Sequence, residues 1–95
     1  MNCSSVSFSG HAIRRMFARG LTRDIVISAL SHGESVMDYP DDQPYPSKLL
    51  LWFNGKIPLH IVVAQNENDG SCYVITAYIP SSKLWEPDFK TRKPS

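Results

Sequence analysis

Lys48 to Ile79 reads KLLLWFNGKIPLHIVVAQNENDGSCYVITAYI, three apolar runs divided by Asn54-Gly55 and by Asn68-Asp69-Gly70. Asn-Gly between apolar runs is the strongest short signal for a hairpin, and a three-residue loop ending in glycine fits a turn with a left-handed bulge position. The runs are rich in β-branched, aromatic and aliphatic residues, so Lys48–Phe53, Lys56–Gln65 and Cys72–Ile79 read as consecutive antiparallel strands. With Asn54-Gly55 as the turn, Phe53 faces Lys56, Trp52 faces Ile57, Leu50 faces Leu59 and Leu49 faces His60. The second turn sets Val63 against Ile75, Ile61 against Ala77 and Leu59 against Ile79. These residues, with Leu50 and Trp52, make one apolar face for the rest of the chain to cover. The opposite face receives His60 paired with Tyr78 and Val62 paired with Thr76. A slip of one residue would exchange the two faces, so the register with the cleaner apolar side is preferred.

Two helices precede these strands. Ser9 is placed to cap a helix that starts just after it and runs to Arg19, with Gly20 as the left-handed stop. Its apolar stripe is Ile13, Met16 and Phe17. His11, Arg15 and Arg19 follow at four-residue steps and line a separate ridge, where like charges repel and give nothing to a purely structural helix. A second helix opens at Thr22 and closes at Gly33, burying Ile25, Val26, Ala29 and Leu30. His32, in its last turn, complements the helix dipole. Ser35–Tyr39 is short enough for an edge strand. Pro40, Pro44 and Pro46 then force an extended loop that carries the acids. The expected fold class is therefore α+β: two N-terminal helices followed by a twisted antiparallel β-meander of three to four strands. One domain is expected to span residues 1–95, with 90–95 a frayed tail.

The whole-chain properties narrow the function classes. The chain has 95 residues, 42% of them hydrophobic and 20% charged, which suits one small globular domain with a modest stability margin. No apolar run approaches the roughly 20 residues that span a bilayer, and MNCSSVSFSG lacks the basic start and apolar stretch of a secretory signal. A cytoplasmic protein is expected, with Cys3 and Cys72 as reduced thiols. The net charge of +1 is unevenly spread: Met1–Gly33 is basic, Glu34–Ser47 carries four acids and no base, and Lys83–Ser95 is basic again. Any electrostatic site is local. The three histidines fall on separate elements and the acids lack ligand spacing, so no metal or other cofactor is expected.

Several side chains are candidates for chemistry. His60 and Tyr78 face each other and combine a group that titrates near neutrality with a phenol, as acid–base work requires. A cross-strand pair that merely packs has the same signature. Arg15 and Arg19, with His11 beside them, offer guanidinium forks for phosphate or carboxylate, or form a solvated helix face. Lys83, Lys90, Arg92 and Lys93 either screen a phosphate backbone or form a soluble basic tail. Trp85 and Phe89, in WEPDF, either stack on a base or staple the C-terminal segment to the core. Tyr39, Asp41, Asp42 and Tyr45 lie in the acidic loop and are candidates for contacting a partner protein.

HAIRRMFARGLT (His11–Thr22), DYPDDQPYPSKLLL (Asp38–Leu51), IPLHIVVA (Ile57–Ala64), VITAYIP (Val74–Pro80) and WEPDF (Trp85–Phe89) resemble the family described as domain of unknown function 4258. The resemblance covers nearly the whole chain. It implies kinship with the RelE/ParE-like, BrnT-like toxin superfamily, in which two helices precede a twisted antiparallel sheet. It further implies a toxin of a type II toxin–antitoxin system, a metal-independent endoribonuclease whose partners are RNA and a cognate antitoxin. The family pattern puts weight on His11, Arg15, Arg19, Tyr39, Asp41, Asp42, His60, Tyr78 and Trp85. The net charge of +1 is low beside that of typical ribonuclease toxins. The competing expectation is a non-catalytic interaction module that uses the Asp38–Tyr45 loop.

Overall fold

The computed structural model describes residues 1–94. Seven elements follow along the chain: β1 (Ser5–Phe8), α1 (Gly10–Ala18), α2 (Arg23–His32), β2 (Glu34–Tyr39), β3 (Ser47–Asn54), β4 (Ile57–Gln65) and β5 (Ser71–Tyr78). Both helices start on the capping residues their sequences offer: Ser9 Oγ accepts from Ala12 N at 2.9 Å and Thr22 Oγ1 accepts from Ile25 N at 3.2 Å.

β2 to β5 form the expected antiparallel meander, but the architecture differs from two helices followed by a meander. A strand precedes the helices, and the five strands make a mixed sheet in the order β1-β5-β4-β3-β2, with β1 parallel to β5. The sequence SVSF gave little sign of this strand because it is only four residues long and half serine. Its partner is the last strand of the chain, so no hairpin turn announces the pairing.

β1 also changes the state of the cysteines. Its course beside β5 brings Cys3 and Cys72 to a Cα–Cα distance of 5.6 Å, where they form a disulfide across 69 residues of sequence rather than remaining reduced thiols.

The sheet register departs from expectation in two places. Asn54 pairs with Ile57, Trp52 with Leu59 and Leu51 with His60, so Gly55 and Lys56 are the loop residues and the turn sits one position later. Gly55 takes a φ of 65°, the left-handed conformation that its missing Cβ permits. The shift changes every partner but preserves which face each side chain occupies. Between β4 and β5, the pairs His60–Tyr78, Ile61–Ala77 and Val62–Thr76 are as expected. Val63 then pairs with Val74, because Ile75 is the extra residue of a β-bulge. Ile75 is consequently exposed, while Val74 and Cys72 turn into the core.

α1 and α2 cover one face of the sheet. Leu50, Leu59, Ile61, Val63, Val74 and Ala77 meet Ala12 and Met16 of α1 and Val26, Ala29 and Leu30 of α2. Of the stripe expected on α1, only Met16 is buried. Ala12 joins it inside, while Ile13 and Phe17 are 55% and 89% exposed. On the opposite face lie the buried Leu49, Leu51, His60 and Ala64; the C-terminal stretch covers His60, and the proline-rich loop lies beside Ala64.

Candidate functional site

The C-terminal stretch, which holds the site together, is itself organised by one carboxylate. Asp88 Oδ1 accepts from the backbone N–H groups of Lys90 and Thr91 at 2.9 and 3.1 Å, and its Oδ2 accepts from Thr91 Oγ1 at 3.1 Å. These bonds hold the Asp88 carboxyl below the usual carboxylate range, the Lys90 N–H contributing most. The turn is closed by Glu86 N–H to Thr91 O at 2.8 Å and Lys93 N–H to Leu84 O at 2.9 Å, with a bridge between Trp85 and Arg92. Residues 90–93, expected to fray, are thereby folded back on the chain. Phe89 adopts a φ of 56° at the tip of this turn.

Beneath the turn lies His60, fully buried between Leu51 and Tyr78 on the neighbouring strands. Both ring nitrogens are engaged: Nδ1 lies 3.2 Å from the Tyr78 hydroxyl and Nε2 lies 2.7 Å from the Phe89 carbonyl. A carbonyl oxygen only accepts, so Nε2 carries the proton and Nδ1 of the neutral ring accepts from Tyr78. Burial lowers the His60 pKa from its ordinary value, against a smaller opposing pull from the Phe89 carbonyl, so the imidazole is neutral near pH 7. Trp85 closes over the ring at 4.5 Å, nearly perpendicular to it.

The Tyr78 hydroxyl marks the boundary between this buried pair and solvent. Tyr78 at the end of β5 and Ile79 just beyond it line an open cleft of about 370 Å³, together with Arg15 of α1, Arg19 at its C-cap, and Ser81, Leu84, Trp85 and Arg92 from the C-terminal stretch. The Arg15 guanidinium lies 5.7 Å from the centre of the Tyr78 ring, and that of Arg92 lies 5.4 Å from the Trp85 ring. Burial raises the Tyr78 pKa, as does the charge of Tyr39. Arg92 and Arg15 pull it down by less, so the phenol keeps its proton near neutrality. Among the described residues the ion pairs are Lys48–Asp38 and Lys90–Glu34, so the three arginines of the cleft carry uncompensated charge. The arrangement can hold an anion against guanidinium forks, with a tyrosine oxygen beside it.

The structure thus gathers His60, Tyr78, Arg15, Arg19 and Arg92, drawn from α1, β4, β5 and the C-terminal stretch. It leaves others elsewhere. His11 shares the helix ridge of Arg15 but is exposed and does not line the cleft. Lys83 is exposed outside the lining, and Lys90 reaches Glu34 at 3.0 Å. Trp85, only 5% exposed, cannot offer its face to a base and instead staples the C-terminal stretch down. In the acidic loop, Asp42 accepts from Ser47 Oγ, Tyr45 stacks on Tyr73 at 5.5 Å, and Tyr39 donates to Met37 Sδ at 3.4 Å. Asp41 stays exposed. Ser81 and Leu84 were not anticipated as lining residues. They line the cleft with Arg15 and Arg19, a meeting of distant segments that no local pattern in the sequence signals.

A mixed α+β domain with a three-arginine cleft over a buried His–Tyr pair is the class of protein that fold and site define. The chain belongs to the family described as Domain of unknown function (DUF4258), which matches residues 8–79. That span includes Arg15, Arg19, His60, Tyr78 and Ile79, while Cys3 and the 84–93 turn lie outside it. No curated protein and no solved structure matches the chain. Among the described residues, no helix is long and apolar enough to cross a membrane.

Proposed function

We propose that the chain is a metal-independent endoribonuclease, acting as the toxin of a toxin–antitoxin pair, with the Arg15–Arg19–Arg92 cleft as its phosphate site. The observation that carries this reading is that three guanidinium groups without a carboxylate partner among the described residues line one solvent-open cleft together with Tyr78.

In the proposed reaction, a ribose 2′-hydroxyl of bound RNA gives its proton to the Tyr78 oxygen as the Tyr78 proton passes to His60 Nδ1. The 2′-oxygen attacks the adjacent phosphorus, and the bond from phosphorus to the 5′-oxygen breaks. The products are a 2′,3′-cyclic phosphate and a 5′-hydroxyl that takes its proton from water; the hydroxide left behind takes the proton held on His60, through Tyr78, which restores the neutral pair. Arg15, Arg19 and Arg92 neutralise the charge that builds on the phosphorane oxygens. His60 does not touch substrate in this scheme. It is a positioning and proton-holding residue behind Tyr78, kept in its basic form by burial.

The test is cleavage of an end-labelled RNA by purified protein, alongside growth after induced expression. Wild type is expected to arrest growth and leave cyclic-phosphate ends. A single 2′-deoxy substitution should block the scissile site. Tyr78→Phe should slow cleavage by about 10²-fold or more, and Arg15→Ala should relieve arrest at matched protein level. Soluble wild-type protein that neither cuts RNA nor slows growth would refute the proposal.

A further inference from the structure

The first helix carries more apolar surface than the domain itself uses. Ala12 and Met16 fill its share of the core, yet Ile13 and Phe17, one turn apart, stand 55% and 89% exposed. Beside that ridge, Phe8, Met16, Leu21 and Arg23 complete a groove of about 240 Å³. The groove is separate from the arginine cleft: the two share no lining residue. A ridge of side chains four residues apart, next to a groove, is the geometry by which helices pack on one another. A solitary exposed aromatic is ordinary, but a contiguous ridge and groove of this kind marks a contact surface.

Charge selects the occupant. The Arg23 guanidinium sits 5.1 Å from the Phe8 ring at the groove wall, and Arg14 follows Ile13 on the helix. Neither has a carboxylate partner among the described residues. A second copy docking face to face would set these arginines against their own counterparts, a like-charge contact that costs affinity. A nucleic acid would find the groove floor aliphatic, at Ile13, Met16 and Leu21, with the half-buried Phe8 ring already faced by Arg23 and Phe17 as the exposed aromatic plane, where strand binding calls for a series of them.

We propose that the Ile13–Phe17 ridge and its groove are the docking surface for an amphipathic helix of a partner protein, with acidic residues flanking its apolar stripe. Large apolar side chains of the partner enter between Phe8 and Phe17, and its carboxylates meet Arg14 and Arg23.

The probe is a phage-displayed library of random peptides, selected on the full-length chain and read against Phe17→Ser. Phe17 is almost wholly exposed, so the variant should retain the wild-type far-UV circular dichroism and melting curve. Enriched peptides should combine large apolar residues at three- and four-residue spacing with Asp and Glu. They should lose at least about tenfold in affinity for Phe17→Ser, and Arg23→Glu should turn selection towards basic peptides. Failure to enrich, a basic consensus on wild type, or equal binding to Phe17→Ser would overturn the proposal. So would a concentration-dependent dimer in sedimentation that Phe17→Ser abolishes, or RNA binding that it weakens.

Discussion

The two faces of the sheet are covered in different ways, and the coverings dictate what lies beneath. Regular helices cover one face, and their backbone groups are satisfied internally, so what the strands bury below them is apolar, as at Leu59, Ile61 and Val74. Irregular backbone covers the other. A loop or turn brings carbonyl groups with no ladder to join, and each one buried requires a donor. His60 is such a donor: its Nε2–H satisfies the Phe89 carbonyl, and its Nδ1 takes the Tyr78 proton. A buried histidine is therefore what permits the 84–93 turn to lie flat on a sheet, whether or not the pair also moves a proton in catalysis. The helix face gives stability, and the cleft opens where the turn meets α1 and the residue that caps it.

Deleting a core side chain on the helix face should have the largest effect. Leu59→Ala removes a fully buried side chain from the core beneath the helices, and the expected cost is about 2–5 kcal/mol, read as a lower urea midpoint with every probe moving together. On the turn face, His60→Leu keeps the bulk but leaves the Phe89 carbonyl and the Tyr78 hydroxyl without their partner. The expected cost is about 1–3 kcal/mol, and it should be local. Hydrogen exchange would speed at the Glu86 and Lys93 amides, which close the turn, while the amides of β3 and β4 keep their protection. If β3 and β4 lost protection to the same degree, the two faces would be one cooperative unit and the distinction would fall.

Acid offers a gentler way to separate the faces. The folded pKa of His60 lies below its ordinary value of 6.5, because burial disfavours the imidazolium. Below pH 6.5 the unfolded chain binds a proton that the folded chain refuses, so the His60 contribution is intact above 6.5 and shrinks as pH falls towards the depressed folded value. Melting curves between pH 7.5 and about pH 5 should show stability falling with acidity, and the His60→Leu protein should show a flatter dependence over that window. An equal slope in both proteins would assign the acid sensitivity to other groups.

How far these faces could be read from the chain depended on sequence distance. The Asn54-Gly55 and Asn68-Asp69-Gly70 signals located both hairpins, and period-two alternation put His60 opposite Tyr78 and away from the helices. The turn itself fell one residue late, on Gly55-Lys56, because a glycine at the first loop position satisfies the chain as well as Asn-Gly centred on the turn. The bulge at Ile75 was illegible, since an extra residue in a strand of uniformly β-favouring side chains leaves no local mark. β1, the Cys3–Cys72 bond and the covering of His60 by Phe89 all join segments far apart in sequence, and all were missed as structure. Among the site residues, Arg15, Arg19 and Tyr78 were legible because each sits at a periodic position on a recognisable element. Of the two readings open for Trp85, its burial fits the staple of the C-terminal segment and not the stacking surface.

The smallest expected stability effect bears on the helix that borders both the core and solvent. Met16 and Phe17 are neighbours in sequence, and hydropathy alone would bury the phenylalanine first. Met16 is 4% exposed and Phe17 is 89% exposed, so truncating the smaller residue should cost the more. Met16→Ala is expected to lose about 2–5 kcal/mol, whereas Phe17→Ser should change stability by no more than about 0.5 kcal/mol in either direction. Chemical denaturation of the two variants side by side decides the matter. If Phe17→Ser costs as much as Met16→Ala, the ring packs on its own domain in solution and the ridge is core. If it costs almost nothing, the helix carries a phenylalanine its own fold does not need, and the reason for it lies outside the chain.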